Sequence, residues 1–522
     1  MSGATTKYIE TVNYNYAKRG FALTALEYLL TGSQDLLAQV QWNPLQNFAK
    51  STILGLLERV TRGELTILSE GKTHKFGKPY DVKIDGHSWP LAATVTVKAE
   101  NFWVRMLLHA DFGFADAFML GEIEVDKLKD VFKIFVLNRK SVGELSTVLS
   151  PIIRTISYIA NLRLANGLMG SKSNISYVLA FSYPCITAHH DYSAHYDLSN
   201  DVFAAFLSWD MTCAIFDKEA GGAVGDLIGE RPIAPPRKGY LDKRSIPADD
   251  LERGQLAKLH LIAQRAKIKK GSRVLEIGCG WGSFSILAAG TYGATVEAIT
   301  ISDEQKVAID KNIADAGLSH AINVHVLDYR QMPESFHHAF DAVVSIGVME
   351  HVGIEFMRGW FRKMSWAMKP ENSFKVFTMS TVPDSRWHMY SSEVDFVRKY
   401  IYPGGQLSSV ATLVNDITAA GLNIESIENI GPHYARTLRE WGYRFERNFK
   451  SDIEPALRIQ YSNLTDDDIL IFRRKWNYYF AYSEAGFALR SISDHVITTT
   501  REANTFVTST CEEHPPTHFV KP

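Results

Sequence analysis

A glutamate and a histidine stand at the end of an apolar run in the second half of the chain. The stretch DAVVSIGVMEHVG spans residues 341–353, and its apolar residues lead into Glu350 and His351. Burying a carboxylate is unfavourable unless the group has partners, so two interpretations are open. Either a strand runs out into solvent here, or it delivers Glu350 to a site where that residue serves base catalysis.

A glycine turn earlier in the chain indicates a cofactor site. The sequence RVLEIGCGWGSFS at 273–285 joins a buried strand to a helix through Gly278, Gly280 and Gly282. Glycine lets a backbone turn tightly and approach a ligand closely. The G-x-G-x-G spacing, preceded by Glu276, suits S-adenosylmethionine, which has no phosphates to cradle. A purely structural turn is the alternative.

Composition bounds the class of protein. A chain of 522 residues is too long to fold around one hydrophobic core, so two or more domains are expected. The formal net charge of -2 provides no electrostatic case for nucleic acid. The cysteines are sparse and form no CxxC pair, which favours a reducing compartment; they are Cys185, Cys213, Cys279 and Cys511.

Targeting and membrane-spanning segments are not predicted. The first twenty residues lack the apolar stretch of a signal peptide, and no segment approaches the roughly 20 apolar residues of a membrane span. The expected location is therefore cytoplasmic, with peripheral contact to a membrane.

The elements that position these motifs alternate between strand and helix. From residue 256 onward the pattern predicts an α/β fold with a doubly wound parallel sheet. A helix, a strand at LNIESIENIG and long aromatic helices follow, and a last strand, HVITTT, closes the sheet. The strands are expected at 273–279, 294–300, 323–328, 340–346 and 374–381.

A smaller α+β domain is predicted before this sheet. GELTILSEGKTHKFG indicates a hairpin, PLAATVTVKA a strand and DKLKDVFKIFVLNRK a helix. The expected organisation is an N-terminal arm at 1–45, the small domain at 46–150, a linker helix at 151–190, the sheet domain at 191–502 with an insertion at 217–250, and a disordered tail at 503–522.

Several stretches, in order over about 300 residues, resemble the cyclopropane-fatty-acid synthase family of S-adenosylmethionine-dependent methyltransferases. The length of the N-terminal region is more similar to eukaryotic, fungal-type members than to the short bacterial type. The matching stretches are HYDLSNDVFAAFLSWDMTCAIF, VLEIGCGWG, TISDEQ, SIGVMEHVG, KYIYPGGQLSSV, IGPHYARTLREW and YFAYSEAGFALR.

The resemblance implies a Rossmann-like class I methyltransferase sheet and a set of cofactor contacts. Met211 and Thr212 occupy positions where the family often has Tyr-Ser, so backbone contacts survive the change. The run HHDYSAHYD needs no metal, because the resemblance already accounts for its last residues. The implied cofactor-binding residues are Met211, Thr212, Glu276, Ile277, Gly278, Cys279, Gly280, Trp281, Gly282, Thr300, Gln305, Asp328 and Tyr329.

The implied reaction transfers a methyl group to an unactivated cis double bond and leaves a carbocation. Aromatic faces can stabilise that cation, and a base must remove a proton. In the family the base is a bound bicarbonate, and its anchors here fall on Cys213, Glu350, Phe377, Met379 and Tyr434.

Two positions depart from the family. Phe377 stands where a polar residue is expected, and phenylalanine cannot hydrogen-bond an anion. Ser483 stands where many members have cysteine, although no step of the reaction requires a thiol.

The leading hypothesis is therefore C-methylation of an unsaturated acyl chain on a membrane phospholipid, giving a cyclopropane. A methylene- or methyl-branched product, an amine N-methyltransferase and a non-catalytic lipid-binding protein remain alternatives. A sphingolipid methyltransferase is a further neighbour, although such members typically carry N-terminal spans. No nucleic-acid partner is expected, and a homodimer is compatible with the sequence.

Overall fold

The structure is a computed structural model that describes residues 43–84, 87–142, 200–225, 249–392, 395–402, 405–502 and 504–505. The predicted linker helix, the HHDYSAHYD run, most of the insertion and nearly all of the predicted tail lie outside these residues. The described residues form two compact units. The smaller unit contains residues 43–82, 88–142 and 395–401, and the larger unit contains most of the remainder.

A four-stranded sheet forms the centre of the smaller unit, in the order β2-β1-β5-β6. The predicted hairpin is confirmed, because β1 and β2 pair antiparallel; β5 runs parallel to β1. The predicted strand and helix are also confirmed. The strands are β1 (Gly63–Ser69), β2 (Lys72–Lys78), β3 (Asp81–Ile84), β4 (His87–Pro90), β5 (Ala92–Val97) and β6 (Ile123–Val125); the helices are α1 (Asn43–Leu57), α2 (Asn101–His109), α3 (Asp111–Leu120) and α4 (Leu128–Val142).

A seven-stranded sheet forms the centre of the larger unit, in the order β12-β13-β11-β10-β7-β8-β9. The five predicted strands are confirmed as β7 (Arg273–Ile277), β8 (Thr295–Thr300), β9 (Ile322–Val326), β10 (Ala342–Ser345) and β11 (Phe374–Thr381); β12 (Leu422–Asn429) and β13 (Ser493–Arg501) follow. Among themselves these five strands pair parallel throughout.

The last strand of the chain adds an antiparallel member to the otherwise parallel sheet. β13 lies between β11 and β12 and runs antiparallel to both. It therefore does not close the sheet at an edge, where β12 lies instead. Helices separate β12 from β13 along the chain, and they return the chain to the sheet in the opposite direction.

The helices of the larger unit cover the sheet and its carboxyl edge. Near that edge α5, α13 and α15 pack through aromatic rings, and the ring centroid of Phe206 lies 5.2 Å from that of Trp476 and 5.6 Å from that of Phe480. The helices are α5 (Asn200–Leu207), α6 (Asp250–Arg265), α7 (Ser283–Gly290), α8 (Asp303–Asp315), α9 (Ile354–Ala367), α10 (Asp384–Ser392), α12 (Val410–Ala419), α13 (Gly431–Asn448), α14 (Glu454–Gln460) and α15 (Asp466–Ala488); α11 (Phe396–Tyr400) belongs to the smaller unit.

None of the helices in the described ranges is long and apolar enough to cross a membrane.

Candidate active site

The glycine turn between β7 and α7 requires glycine for two reasons. Gly278 has a φ of +77°, and a Cβ there would lie 2.2 Å from Cγ2 of Val348. Gly280 has a φ of +52°, and Sδ of Met211 lies 3.5 Å from where its Cβ would stand. The predicted cofactor residue Met211 is thus next to the turn, although the two are far apart in sequence.

Glu276 is buried in β7 just before this turn. The hydroxyl of Ser285 on α7 donates a hydrogen bond to its carboxylate. Burial raises the pKa of Glu276 to about 8, against the opposing effect of that hydrogen bond. The remaining predicted residues of the turn are also buried or half-buried; they are Ile277, Cys279, Trp281 and Gly282.

Polar groups end the next strand of the sheet. The hydroxyl of Thr300 donates to Oε1 of Gln305 at 2.8 Å, and this pair lies where α8 begins. Glu297 does not contribute here, because its carboxylate pairs with Nε2 of His325 at 2.8 Å from within the strand.

Asp328 and Tyr329 follow the end of β9. Asp328 accepts a hydrogen bond from the backbone N–H of Arg330 at 2.8 Å and pairs with its guanidinium. Tyr329 is buried, and burial raises its pKa to about 12. The turn, Thr300 and these two residues thus follow β7, β8 and β9 at the carboxyl edge of the sheet, where open α/β sheets bind ligands.

Helix α6 holds the segment at 207–213 that contains Met211 and Thr212. The hydroxyl of Thr212 donates to Oδ2 of Asp210 at 2.6 Å, and the buried Lys258 approaches the same oxygen at 3.3 Å. The side-chain amide of Gln255 contacts the backbone oxygens of Leu207, Asp210 and Thr212 at 2.7–3.0 Å.

Glu350 lies in a short turn just after β10. Its Oε1 accepts a hydrogen bond from the backbone N–H of Ser380 at 2.7 Å, and its own backbone oxygen accepts one from Gln406 at 2.7 Å. Its Oε2 is buried, and no group of the described residues donates to it. A buried carboxylate oxygen without a donor is costly, so this oxygen is arranged for a ligand or substrate.

Cys213 and Tyr434 lie close enough to Glu350 for electrostatic coupling. Burial raises the pKa of both groups well above their usual values, and the Glu350 and Asp494 carboxyls raise them further. Both side chains therefore stay protonated, and Tyr434 keeps an O–H that can donate. The structure brings these three predicted residues together from three separate parts of the chain.

Two tyrosines border the same region. The rings of Tyr402 and Tyr479 meet edge to face with centroids 6.1 Å apart, and His351 packs on Tyr402 at 5.9 Å. Burial lowers the pKa of His351, while the Glu350 carboxylate opposes that effect. The hydroxyl of Tyr400 donates instead to Asp116 within the smaller unit.

Phe377 and Met379 lie in the hydrophobic core rather than in this polar cluster. The Phe377 ring packs against Trp360 and Phe361 of α9, with centroids 6.1 and 5.4 Å away. Both residues are fully buried there. Phe377, which cannot hydrogen-bond an anion, packs in the core because alternation along β11 directs its side chain there, and its place among the implied anchors stays a prediction.

Ser483 is buried on α15, one helical turn beyond Tyr479. Residues four apart share a helix face, so Ser483 continues the face that carries Tyr479. No described contact gives its hydroxyl a chemical role.

Sequence reasoning missed two residues of the cluster, Ser380 and Asp494. The hydroxyl of Ser380 donates to Oδ2 of Asp494 at 2.8 Å, and Asp494 is almost fully buried. Asp494 stands directly before the apolar run HVITTT, and an acid at the start of a buried strand was the available sign.

Comparison with known proteins identifies the family. The model of the mycolic acid cyclopropane synthetase family matches residues 185–497. A tuberculostearic acid methyltransferase of Mycobacterium tuberculosis is 34% identical over 304 residues, which are 58% of this chain and 62% of that protein. The chain thus covers less than two thirds of that relative's length.

A second relative and a solved structure extend the comparison. A cyclopropane-fatty-acyl-phospholipid synthase of Escherichia coli is 28% identical over 403 residues, 77% of this chain and 86% of that protein. The structure of coclaurine N-methyltransferase bound to N-methylheliamine and SAH has a TM-score of 0.50 and 17% identity, covering 75% of this chain and 99% of that one. The family match covers more than half of the chain, so the chain belongs to the mycolic acid cyclopropane synthetase family, and its larger unit has the class I S-adenosylmethionine-dependent methyltransferase fold.

Proposed function

We propose that this S-adenosylmethionine-dependent methyltransferase acts on the cis double bond of an unsaturated acyl chain in a membrane phospholipid and closes it to a cyclopropane. The supporting observation is the buried, unpartnered Oε2 of Glu350 among tyrosine side chains, beyond the strand next to the glycine turn. This arrangement suits a reaction that needs both a place for a departing proton and dry aromatic surroundings.

The chemistry sets the demands on these residues. S-adenosylmethionine supplies a methyl group as an electrophile when it is bound. The alkene carbon forms the new bond as the methyl–sulfur bond breaks, and the acyl chain is left as a carbocation. Loss of a proton from the added carbon then closes the three-membered ring.

The tyrosines Tyr402 and Tyr479 serve the cationic stage. The face of an aromatic ring attracts a cation, and more strongly where water is excluded. Tyr479 is buried and stays neutral, because burial raises the pKa of its phenol well above its usual value, whereas Tyr402 is 39% exposed. Exclusion of water also protects the carbocation from capture as an alcohol.

Glu350 and Tyr434 serve the proton-loss stage. Bicarbonate, when bound, supplies an acceptor for the departing proton. The residues fit this anion, because Oε2 of Glu350 is a free acceptor for its hydroxyl, while the phenol of Tyr434 hydrogen-bonds the neighbouring Asp494. The uncharged Cys213 thiol adds no competing negative charge.

The direct test is incubation of the purified chain with isotope-labelled S-adenosylmethionine and vesicles of a cis-unsaturated phospholipid. We expect acyl chains heavier by one CH2 in mass spectra, with the upfield proton resonances of a cyclopropane in NMR. Vesicles of a saturated phospholipid are the matched control. A methylene- or methyl-branched product would correct the last step, and labelling of free amines without labelling of vesicles would contradict the proposal.

Replacement of Glu350 by glutamine tests the site itself. Glutamine keeps the shape but removes the charge, so we expect kcat to fall by about 100-fold or more. Binding of S-adenosylmethionine, measured by calorimetry, should change little because Glu350 lies after β10 rather than in the glycine turn. Near-wild-type turnover in this variant would show that the base site is elsewhere.

We also propose that the chain associates peripherally with membranes from the cytoplasmic side through the smaller unit. The edge strand β2 exposes Lys72, Lys75 and Lys78. The large aromatic side chains of Tyr80 and Trp89 are more than a third exposed in the same unit. Lysines attract anionic lipid head groups, and exposed aromatic rings favour the interface between water and lipid.

A further inference from the structure

Ser380 links two carboxyl groups in the active-site cluster. Its backbone N–H donates to Oε1 of Glu350 at 2.7 Å, and its hydroxyl donates to Oδ2 of Asp494 at 2.8 Å. The sheet fixes this geometry, because Ser380 and Asp494 are register partners in the antiparallel pairing of β11 with β13. One residue thus holds a carboxyl from each side of β11.

The second oxygen of each carboxyl has no partner. Oε2 of Glu350 and Oδ1 of Asp494 are both buried, and none of the described residues donates a hydrogen bond to either. These two oxygens belong to carboxyls that the same serine holds through their other oxygens. An uncompensated pair of buried charges would be strongly destabilising, so the protonation of the pair matters.

Other elements contribute the remaining charges around Asp494. Tyr434 approaches from α13, Lys258 from α6 and Cys213 from the segment at 207–213. Lys258 is the cation that acts on Asp494, but its Nζ already lies 3.3 Å from Oδ2 of Asp210. Two carboxyls that share a site without their own counterion do not both ionise.

Burial is the main cause that holds the pKa of Asp494 well above its usual range, and the Glu350 carboxylate raises it further. Hydrogen bonds from Ser380 and Tyr434, and the positive charge of Lys258, act in the opposite direction. Burial therefore favours the protonated form of Asp494.

We propose that Asp494 is a positioning residue of the proposed reaction, which remains a neutral acid beside the Glu350 carboxylate so that the pair offers one donor and one acceptor. This inference rests on the proposed function and deepens it. A donor and an acceptor together complement a small oxyacid anion, whereas a second negative charge would repel it. Asp494 thus supplies, from β13, the polar contact that was expected from position 377.

The first experiment is independent of activity. The infrared spectrum of the full chain at neutral pH is compared with that of the Asp494→Asn variant, and Asp315→Asn serves as control because Asp315 is half-exposed and paired with Lys311. We expect Asp494→Asn to lose absorption of a protonated carboxylic acid and Asp315→Asn to lose that of an ionised carboxylate. Loss of ionised-carboxylate absorption in Asp494→Asn would overturn the proposal.

The second experiment measures the pH profile of kcat on unsaturated phospholipid vesicles. Asparagine keeps a neutral donor at position 494, so Asp494→Asn should lower kcat about 3-fold, while Asp494→Ala should lower it about 30-fold or more. The loss of kcat at alkaline pH in the wild type should be absent in Asp494→Asn. Equal losses in the two variants, or an unchanged alkaline limb in Asp494→Asn, would contradict the role of the neutral acid.

The two experiments separate the two proposals. If the wild-type chain does not methylate the vesicles, the proposed function fails while the infrared comparison still decides the state of Asp494. If the vesicles are methylated but the spectra show an ionised Asp494, only the further inference fails.

Discussion

At the scale of single residues, Phe377 stands where the family has a polar residue, yet in the structure it is an ordinary core residue. Its ring is fully buried against α9 in the hydrophobic core. The polar function expected there is available from Ser380 and Asp494, which approach Glu350 from β11 and β13. Replacing a polar residue at 377 by phenylalanine therefore leaves the described polar contacts of Glu350 intact.

Phe377→His tests this placement. The substitution puts a polar ring into an apolar core, so we expect the free energy of unfolding to fall by about 2–4 kcal/mol in urea titrations. Phe377→Leu, which adds no polar group, should cost only about 1–2 kcal/mol. A several-fold gain in kcat for Phe377→His would instead show that this side chain faces the reaction.

Lys375 is the second unusual residue of β11. Its side chain is fully buried, and its Nζ lies 3.7 Å from the ring centroid of Phe361 and 4.1 Å from that of Trp360. No group of the described residues hydrogen-bonds to Nζ. Burial holds the pKa of this lysine well below its usual value.

Lys375→Met should stabilise the protein by about 1–3 kcal/mol at neutral pH, because it removes a buried amine and keeps the apolar volume. Since the pKa of Lys375 is lower in the folded chain, the unfolded chain binds a proton that the folded chain does not. The cost of burying the amine thus shrinks as pH rises toward about 10, and the advantage of the variant should shrink with it.

Denaturant titrations between neutral pH and about pH 10 measure the stability difference between variant and wild type, with the exposed Lys311→Met as control. A stability difference that is independent of pH, or equal in the two variants, would contradict the account of Lys375.

At the scale of elements, helix α6 positions the segment at 207–213 through Gln255. The amide of Gln255 faces three backbone oxygens of that segment. Met211 on the segment reaches Gly280 of the turn. The proposed cofactor site therefore depends on a helix whose side chains carry no catalytic motif.

Gln255→Leu should weaken binding of S-adenosylmethionine about 10-fold, because the backbone oxygens of the segment lose their donor. Calorimetry on the full chain measures this change. The exposed Gln264 on the same helix provides the control variant Gln264→Leu, which should bind as the wild type does. Equal binding by the Gln255 and Gln264 variants would show that the segment holds its position without α6.

At the scale of the whole molecule, the smaller unit takes residues from two distant parts of the chain. Residues 395–401 join it after most of the methyltransferase sheet has been formed by the larger unit. Tyr400 bonds to Asp116 and its ring packs on Phe112 at 6.4 Å. A division at residue 150 alone does not describe this organisation.

The triple substitution of Lys72, Lys75 and Lys78 by glutamate tests the proposed membrane contact. Each lysine near an anionic surface contributes about 1 kcal/mol, so vesicle partitioning should fall on the order of 100-fold. Co-sedimentation with vesicles of phosphatidylserine measures it, and added salt should weaken wild-type binding as well. The triple replacement of Lys269, Lys270 and Lys311 by glutamate is the matched control. A comparable loss of binding in both triple variants would place the membrane contact elsewhere.

The sequence alone determined the strands of the sheet and the glycine turn at its ligand-binding edge. Buried apolar runs joined by helical patterns predicted β7 to β11 closely, because hydrophobic periodicity is a local property of the chain. The glycine turn was also predictable, since its positive φ values at Gly278 and Gly280 require that residue type. The direction of β13 was not, because strand orientation depends on how distant helices return the chain.

Tertiary structure alone decided which polar groups meet. Glu350 and Tyr434 can be predicted from the sequence motifs, yet only the register of β11 with β13 places Ser380 beside Asp494. That same strand directs Phe377 into the core, and a one-residue shift would reverse both outcomes. Local sequence specifies the side chains and the hydrophobic periodicity of each helix and strand. Long-range pairing of strands specifies which of those side chains share a buried site.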